Sequence, residues 1–210
     1  MAEAQAPEIN TVAVIGAGAA GRRIALATAL AGYHTIIEDL LPNALRRAEA
    51  EIRTSLDQSV NEAHLSQEDA DTAFRRIEYA GSIEDAARRA DLVIEAVPDE
   101  LDSKLEIFTL IDRICRPGTI LVLTASSLTV TEIAPITLRR KQCIGMRFAE
   151  DASLKPAFGL NGKRQIPRIE LIRGADTDNA TFSTTLSLAR RLAPQVVLMD
   201  ETGTSKPAKA

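Results

Sequence analysis

The sequence has few of the residues that carry redox, metal or proton-transfer chemistry. Its 210 residues include no tryptophan and only two cysteines, two histidines, two tyrosines and five phenylalanines. Cys115 ends a predicted helix and Cys143 lies in a predicted strand, so we expect two buried thiols rather than a disulfide framework. His34 and His64 are the only imidazoles, which limits the groups that could exchange a proton near neutral pH.

Long apolar runs and an excess of positive charge are also missing. No run reaches the roughly 18 apolar residues that a membrane span needs, and the N-terminal segment is acidic and polar, unlike a signal peptide. The 29 acidic residues outnumber the 25 basic ones, and the basic residues occur as scattered Arg pairs among acidic neighbours. We therefore expect a soluble, cytoplasmic protein with no membrane and no nucleic-acid partner.

What the sequence does contain is an alternation of short Val- and Ile-rich runs with longer amphipathic segments. The runs predict strands at 11–15, 35–37, 92–97, 120–123, 143–148, 169–172 and 196–199. The amphipathic segments predict helices at 19–31, 44–63, 67–77, 100–114, 131–136 and 179–192. This alternation predicts an α/β fold with a doubly wound, mostly parallel sheet and a helical-hairpin insertion after the second strand.

Two segments have the composition of irregular structure. Residues 150–167 predict a long polar loop, and residues 201–210 predict a disordered tail after a single domain over residues 1–200. The loop carries Lys155, Lys163 and Arg164. It could form a lid or an anion clamp, or it could be a solvated basic loop.

A G-x-G-x-x-G motif follows the first predicted strand and opens the first predicted helix. Gly16 allows the tight turn, Gly18 removes a side chain that would block a pyrophosphate, and Gly21 lets the helix pack closely on the strand. The phosphates would meet unpaired backbone N–H groups at the N-terminus of the helix. The expected cofactor-binding residues of this loop are Gly16, Ala17, Gly18, Ala19, Ala20 and Gly21.

The second predicted strand ends in two carboxylates, Glu38 and Asp39, and Asp39 lies 18 residues after Gly21. At this spacing a carboxylate accepts from the adenosine ribose hydroxyls, and its charge repels a 2′-phosphate. Alternatively, the glycines only close a packed turn and Asp39 caps the next helix. Strand, glycines, helix, strand and acid in this order predict a Rossmann-type domain with NAD as its cofactor.

Four segments together carry a family resemblance. They are VAVIGAGAAGRRIALATALAGYHTIIED at 12–39, the helical hairpin at 44–77, DLVIEAVPDELDSKLEIF at 91–108 and TASSLTVTEIA at 124–134. Through them the sequence, from Thr11 to about Asp200, resembles the N-terminal NAD-binding domain of 3-hydroxyacyl-CoA dehydrogenases. The resemblance implies an NAD-dependent oxidoreductase of fatty-acid metabolism that acts on an acyl-CoA or a small hydroxy acid.

The resemblance also implies roles for individual residues. Asp99 stands where the family has a cofactor-contacting glutamate, and Lys104 matches a cofactor-contacting lysine. Ser126 matches a serine that contacts cofactor and substrate, although it could instead cap the helix that begins near residue 131. Ser55 matches a CoA-contacting serine of the substrate site, whereas Glu62 replaces a CoA-contacting lysine.

The catalytic segment departs from the family pattern. Arg147 replaces the family histidine, and Glu150 replaces the asparagine beside the nicotinamide. Oxidation of a hydroxyl group needs a base at neutral pH, and arginine keeps its proton above pH 12. Glu170 matches the acid that pairs with the family histidine, so we expect an Arg147–Glu170 ion pair. The residues expected at the reacting centre are therefore Ser126, Arg147 and Glu170.

Neither histidine is expected to replace the missing base. His34 precedes the second strand on the adenosine side, and His64 lies at the turn of the helical hairpin. The resemblance further implies an all-helical domain after Asp200, of which we expect no counterpart here. We therefore expect an NAD(H)-binding protein that is weak or inactive in the family reaction. The alternative is a non-catalytic NAD(H) sensor, or a subunit completed by a helical partner or a second copy.

Overall fold

The computed structural model describes residues 8–124, 129–149, 166–201 and 205–206. The strands in this part of the chain are β1 (Thr11–Ile15), β2 (His34–Glu38), β3 (Ile77–Ala80), β4 (Leu92–Glu95), β5 (Ile120–Leu123), β6 (Cys143–Ala149), β7 (Arg168–Ile172), β8 (Gln195–Met199) and β9 (Ser205–Lys206). They form one sheet in the order β3-β2-β1-β4-β5-β6-β7-β8-β9. Only the β6–β7 and β8–β9 pairs of this sheet are antiparallel.

Seven α-helices of the described residues cover the sheet. They are α1 (Ala19–Leu30), α2 (Pro42–Asn61), α3 (Gln67–Arg75), α4 (Ile83–Ala87), α5 (Leu101–Ile114), α6 (Val130–Ile133) and α7 (Asn179–Leu192). Helices α2 and α3 form the predicted hairpin between β2 and β3. The order β3-β2-β1-β4-β5-β6 is that of a classic dinucleotide-binding sheet, so the predicted Rossmann-type fold is confirmed.

The inner strands are fully buried because helices pack on both of their faces. One apolar core lies beneath α1, α2, α3 and α7, and includes Val12, Ile24, Ile37 and Leu188. The other lies beneath α4, α5 and α6, and includes Phe108. Cys115 and Cys143 are both buried and unbridged, as predicted.

Side-chain caps set where several helices begin. Ser66 accepts from the Asp69 N–H at the start of α3, and Asp178 accepts from the Thr181 N–H at the start of α7. At α6, Thr129 and Glu132 form a reciprocal capping box. Such caps supply partners for N–H groups that have none within the helix.

Every predicted strand and helix is present, although Ala134–Ile136 forms a 3-10 helix after α6, and four short elements were missed: β3, α4, β9 and the 3-10 helix Arg140–Gln142. Strand β3 has one Ile and no Val among its four residues, so it does not stand out as a Val- and Ile-rich run, and Ile77 belongs to it rather than to the preceding helix. Helix α4 has only five residues, too few for a periodic signal. Strand β9 differs from the expected disorder after residue 200, because Ser205–Lys206 pairs with the otherwise open edge of β8. Residues 202–204 and 207–210 of that tail lie outside the described residues. No helix of the described residues is long and apolar enough to cross a membrane.

Candidate functional site

The glycine loop between β1 and α1 contains two glycines that the packing requires. Gly16 has a φ of +106°, and a Cβ there would lie 2.7 Å from the Ala96 carbonyl oxygen. A Cβ on Gly21 would lie 1.8 Å from the Gly16 carbonyl oxygen. Any side chain at either position would therefore displace the loop.

Gly18 differs from these two, because no described atom lies within 4 Å of the position its Cβ would take. It is the N-cap of α1, and its carbonyl accepts the first hydrogen bond of the helix, from the Arg22 N–H. The N–H groups of the first turn have no partner within the helix. Open space beside these donors and the positive end of the helix dipole fits a phosphate group.

Asp39 is held against this loop by backbone hydrogen bonds. One carboxylate oxygen accepts from the Ala17 N–H at 3.0 Å, and the other accepts from the Leu41 N–H at 2.9 Å. The Gly16 N–H also donates to the Glu38 carbonyl at 2.8 Å. The parallel pairing of β1 with β2 thus brings the acid to the glycine loop from 18 residues further along the chain.

Glu38 is a buried acid, and neither its burial nor its raised pKa was evident from the sequence. Its side chain is enclosed, and its Oε1 has no hydrogen-bond partner in the described part of the chain. Burial, and secondly the charge of Asp39, raises the pKa of Glu38 to about 7. A neutral carboxylic acid next to Asp39 is therefore present over much of the acidic pH range.

Lys104 lies inside the protein, between the carboxyl ends of β4 and β5. Its Nζ donates to Glu95 Oε2 at 2.8 Å and to the Thr124 carbonyl at 3.2 Å, with exposed fractions of 1% and 0% for the Lys104 and Glu95 side chains. Asp99 Oδ1 lies 3.6 Å from the same nitrogen. Burial raises the pKa of Glu95 despite Lys104 and the backbone donors. The cofactor contacts implied for Lys104 and Asp99 stay predictions.

Glu95 also receives bonds from the loops that follow both strands. The Val97 N–H donates to Oε1 at 2.9 Å, and the Thr124 N–H donates to Oε2 at 3.3 Å. The pair of Glu95 and Lys104 therefore fixes the two loops that approach the middle of the sheet edge. An amphipathic helix pattern places lysines on the surface, so the sequence carried no signal for this burial.

The predicted ion pair between β6 and β7 is confirmed. Arg147 and Glu170 are directly opposite in the antiparallel register, and Arg147 Nη1 lies 2.7 Å from Glu170 Oε2. Arg168, two residues before Glu170 on the same face, places its Nη2 2.9 Å from Oε1. Glu170 is 11% exposed, whereas Arg147 and Arg168 are 43% and 45% exposed.

Arg168 is the site residue that sequence reasoning missed. The period of two along a strand places residues 168 and 170 on one face, but their meeting with Arg147 depends on the antiparallel register of β6 with β7. The nearby Gly145, on the same face as Arg147, packs against Val130 of α6. The two arginines and their shared carboxylate therefore lie beyond the end of β5, at the same edge as the glycine loop.

His64 lies at the hairpin turn as predicted, whereas His34 is the first residue of β2 rather than a residue before it, at the end of the strand away from the glycine loop. His34 Nε2 is 3.6 Å from a carboxylate oxygen of Glu78 in β3, and His64 Nδ1 is 3.3 Å from Glu62 at the hairpin turn. Ser55 on α2 donates its hydroxyl to the Glu51 carbonyl.

The remaining predicted site residues cannot be placed, because Ser126, Glu150, Lys155, Lys163 and Arg164 lie outside the described residues. The alternative role of Ser126 as the N-cap of α6 is nevertheless excluded, because Thr129 is the N-cap of that helix.

Comparison with known proteins agrees with this geometry. Residues 11–202 match the family model described as the 3-hydroxyacyl-CoA dehydrogenase NAD binding domain. The chain is 31% identical over 194 residues to a probable 3-hydroxybutyryl-CoA dehydrogenase of Bacillus subtilis, covering 92% of this chain and 63% of that protein. A 3-hydroxybutyryl-CoA dehydrogenase of Bradyrhizobium diazoefficiens is 31% identical over 193 residues, covering 92% and 62%.

A solved structure shows the same similarity. The crystal structure of the (S)-3-hydroxybutyryl-CoA dehydrogenase of Ralstonia eutropha has a TM-score of 0.82 and 30% identity, covering 92% of this chain and 64% of that one. The chain therefore spans less than two thirds of the length of these relatives.

Proposed function

Because the chain belongs to the 3-hydroxyacyl-CoA dehydrogenase family through its NAD-binding domain, we propose that it binds NAD(H) but performs the family reaction weakly or not at all. The cofactor of this domain is NAD. The observation that supports the second part is the Arg147–Glu170 ion pair, because the resemblance implies a catalytic histidine at the position of Arg147.

The cofactor half of the site has the groups that a dinucleotide requires. The open space at Gly18 and the N–H groups of the first turn of α1 would hold the pyrophosphate. Asp39 would accept from the adenosine ribose hydroxyls, and its charge would oppose a 2′-phosphate. These two features support NAD(H) over NADP(H).

Among the described residues of the reacting half, neither Arg147 nor Glu170 is a ready acceptor for the hydroxyl proton. In the family reaction, a hydride leaves the carbinol carbon for NAD⁺ and the hydroxyl proton goes to a base, giving a carbonyl compound and NADH. An arginine side chain cannot act as a base at neutral pH, and both oxygens of Glu170 already accept from arginines. The proton would need another acceptor, such as Ser126 through a water molecule or Glu150.

Lys104 would support the cofactor site from the protein interior. Its nitrogen is bonded to Glu95 and to the Thr124 carbonyl, so we assign it to holding the ends of β4 and β5 in place. Asp99, next to it and partly exposed, would be the nearer of the two to a cofactor.

A second candidate function is a non-catalytic NAD(H) sensor, or a subunit completed by a helical partner or a second copy. The observation that favours it is strand β8, whose residues Val196 to Met199 are apolar but only half-buried, while β1, β4 and β5 are enclosed. Further protein could cover this end of the sheet.

Binding and turnover measured on the same preparation test the proposal. NADH is titrated by its fluorescence, with NADPH as the control, and oxidation of 3-hydroxybutyryl-CoA and free 3-hydroxybutyrate by NAD⁺ is followed at 340 nm. We expect NADH to bind at least about tenfold more tightly than NADPH, with no steady-state NADH formation. Absence of NADH binding contradicts the first part of the proposal, and rapid turnover contradicts the second.

A further inference from the structure

Arg22, in the first turn of α1, bridges the glycine loop and the long helix of the hairpin. Its Nη1 donates to the Ala17 carbonyl at 2.9 Å, and its Nη2 lies 2.8 Å from Glu51 Oε2 on α2. The Arg22 side chain is only 18% exposed, whereas that of Glu51 is 51% exposed. The planar fork of a guanidinium group has separate donors for two such acceptors.

Residue Ala17 is therefore held on both sides. Its N–H donates to Asp39 Oδ2 at 3.0 Å, while its carbonyl accepts from Arg22. Both holding groups are in turn connected to α2. Asp39 accepts from the N–H of Leu41, the N-cap of that helix, and Arg22 is paired with Glu51 in its middle.

The direction of the Ala17 carbonyl fixes the direction of the next N–H group. A peptide unit is planar and trans, so its C=O and N–H point to opposite sides. Because the Ala17 carbonyl points to Arg22, the Gly18 N–H points away from it. Gly18 is the N-cap of α1, where backbone N–H groups bind the phosphates of a dinucleotide. Arg22 thus orients a donor of this phosphate site.

The guanidinium group acts through the peptide rather than on the phosphate itself. Both of its terminal nitrogens are engaged, and Glu51 balances its charge. A balanced ion pair attracts an anion far less than a lone cation does. Arg22 also lies on the side of the Ala17–Gly18 peptide opposite to the one that the Gly18 N–H faces.

We propose that Arg22 is a positioning residue for NAD(H): held by Glu51, it fixes the Ala17–Gly18 peptide so that the Gly18 N–H faces the pyrophosphate. The inference rests on the proposed function for the presence of the pyrophosphate at this loop. It gives α2 a part in NAD(H) binding through Glu51.

Calorimetric titrations of the full chain with NADH and with ADP-ribose test the inference. ADP-ribose keeps the pyrophosphate but has no nicotinamide. Arg22→Gln should weaken both ligands about tenfold or more, because a charged hydrogen bond that orients the donor is lost. Glu51→Gln, which keeps Arg22 but removes its partner, should weaken both about two- to fivefold, as expected for an exposed ion pair. The matched controls Arg47→Gln and Glu49→Gln, exposed residues of α2, should leave both affinities unchanged.

The sign of the Glu51→Gln effect distinguishes positioning from direct attraction. Removing an acid makes the surroundings of the loop more positive, so a direct attraction between Arg22 and the pyrophosphate would tighten NADH binding. A positioning role predicts weaker binding instead. Thermal denaturation of each variant separates a loss of stability from a loss of affinity. If Arg22→Gln does not fold, the exposed Glu51 variant carries the test.

The outcomes separate the inference from the proposed function. If the wild type binds NADH, an unchanged affinity of Arg22→Gln, or an unchanged or tighter affinity of Glu51→Gln, overturns the inference alone. A loss of NADH affinity without a loss of ADP-ribose affinity in Arg22→Gln also overturns it, because the effect would then lie at the nicotinamide. A wild-type chain that binds neither ligand overturns the proposed function and the inference with it.

Discussion

The candidate site has two ends along one edge of the sheet, at β1–β2 and at β6–β7, and they consist of different chemical groups. At β1 and β2 the site consists of backbone N–H groups, glycines without side chains and one carboxylate held by backbone donors. At β6 and β7 it consists of long charged side chains on two paired strands. Backbone groups are present whatever side chains the sequence contains, whereas the chemistry of the other end depends on individual side chains such as Arg147, where the family resemblance implies a histidine.

Removing the cation from the buried Lys104–Glu95 pair, which lies between these two ends, should have the largest effect on stability. Lys104→Met leaves the Glu95 carboxylate without its cation in an enclosed position. We expect the free energy of unfolding to fall by about 3–5 kcal/mol, measured by urea denaturation. The double variant Lys104→Met/Glu95→Leu, which removes both charges, is the control and should recover much of the loss. Equal destabilisation of the single and double variants would contradict a role for the ion pair.

Glu38, the buried acid beside Asp39 at the cofactor end, should give the next effect, through the pH dependence of stability. Its pKa is raised to about 7 from 4.5, so the native state favours the protonated form. The penalty for ionising it is absent below pH 4.5 and complete above pH 7. Relative to Glu38→Gln, the wild-type protein should therefore lose up to about 3 kcal/mol of stability as the pH rises through this range.

Denaturation of the wild type and the Glu38→Gln variant at a series of pH values measures this difference. A difference in unfolding free energy that stays constant between pH 4 and pH 8 would exclude a raised pKa for Glu38. Comparing two proteins that differ at one residue removes the contribution of the other titrating groups.

The backbone character of the cofactor end is tested by Gly18→Val. Because no described atom lies within 4 Å of the position its Cβ would take, only the poorer capping by valine should lower the free energy of unfolding, by about 1 kcal/mol. NADH affinity should nevertheless fall at least about 100-fold, because the side chain fills the space for the pyrophosphate. Fluorescence titration and thermal denaturation measure the two quantities separately.

Gly21→Ala is the matched comparison for Gly18→Val. Its Cβ would overlap the Gly16 carbonyl, so this variant should lose stability as well as NADH binding. If Gly18→Val bound NADH as well as the wild type, the phosphate site would have to lie elsewhere.

The smallest effect concerns Asp39, the carboxylate that backbone donors hold at the glycine loop. Asp39→Asn keeps the shape of the side chain but removes its charge, and we expect NADH affinity to fall about tenfold. NADPH affinity should fall less or rise, because the repulsion of a 2′-phosphate is removed. The ratio of the two affinities is the readout, since damage to the loop would weaken both alike. An unchanged ratio contradicts the ribose contact.

The two ends of the site also differ in how much of each could be predicted from the sequence. The glycine loop and Asp39 could be predicted because their spacing is set by one strand, one turn and one helix. The Arg147–Glu170 pair followed from the family resemblance, which matches the two positions to a histidine and its partner acid. Arg168 could not be predicted, because its contact depends on the register of an antiparallel pair. The burial of Lys104 depends on tertiary packing against β4 and β5, which no local pattern encodes.

A single-turnover experiment measures the difference between the two ends in one sample. The protein, in excess over NAD⁺, is mixed at neutral pH with 3-hydroxybutyryl-CoA and, separately, with free 3-hydroxybutyrate, and absorbance at 340 nm reports hydride transfer without any need for product release. NADH added to the same preparation shows that the cofactor site is functional. We predict that NADH binds and that no NADH is formed from NAD⁺. Rapid formation of NADH in proportion to the NAD⁺ present would contradict the account, because the β6–β7 end would then contain a working base.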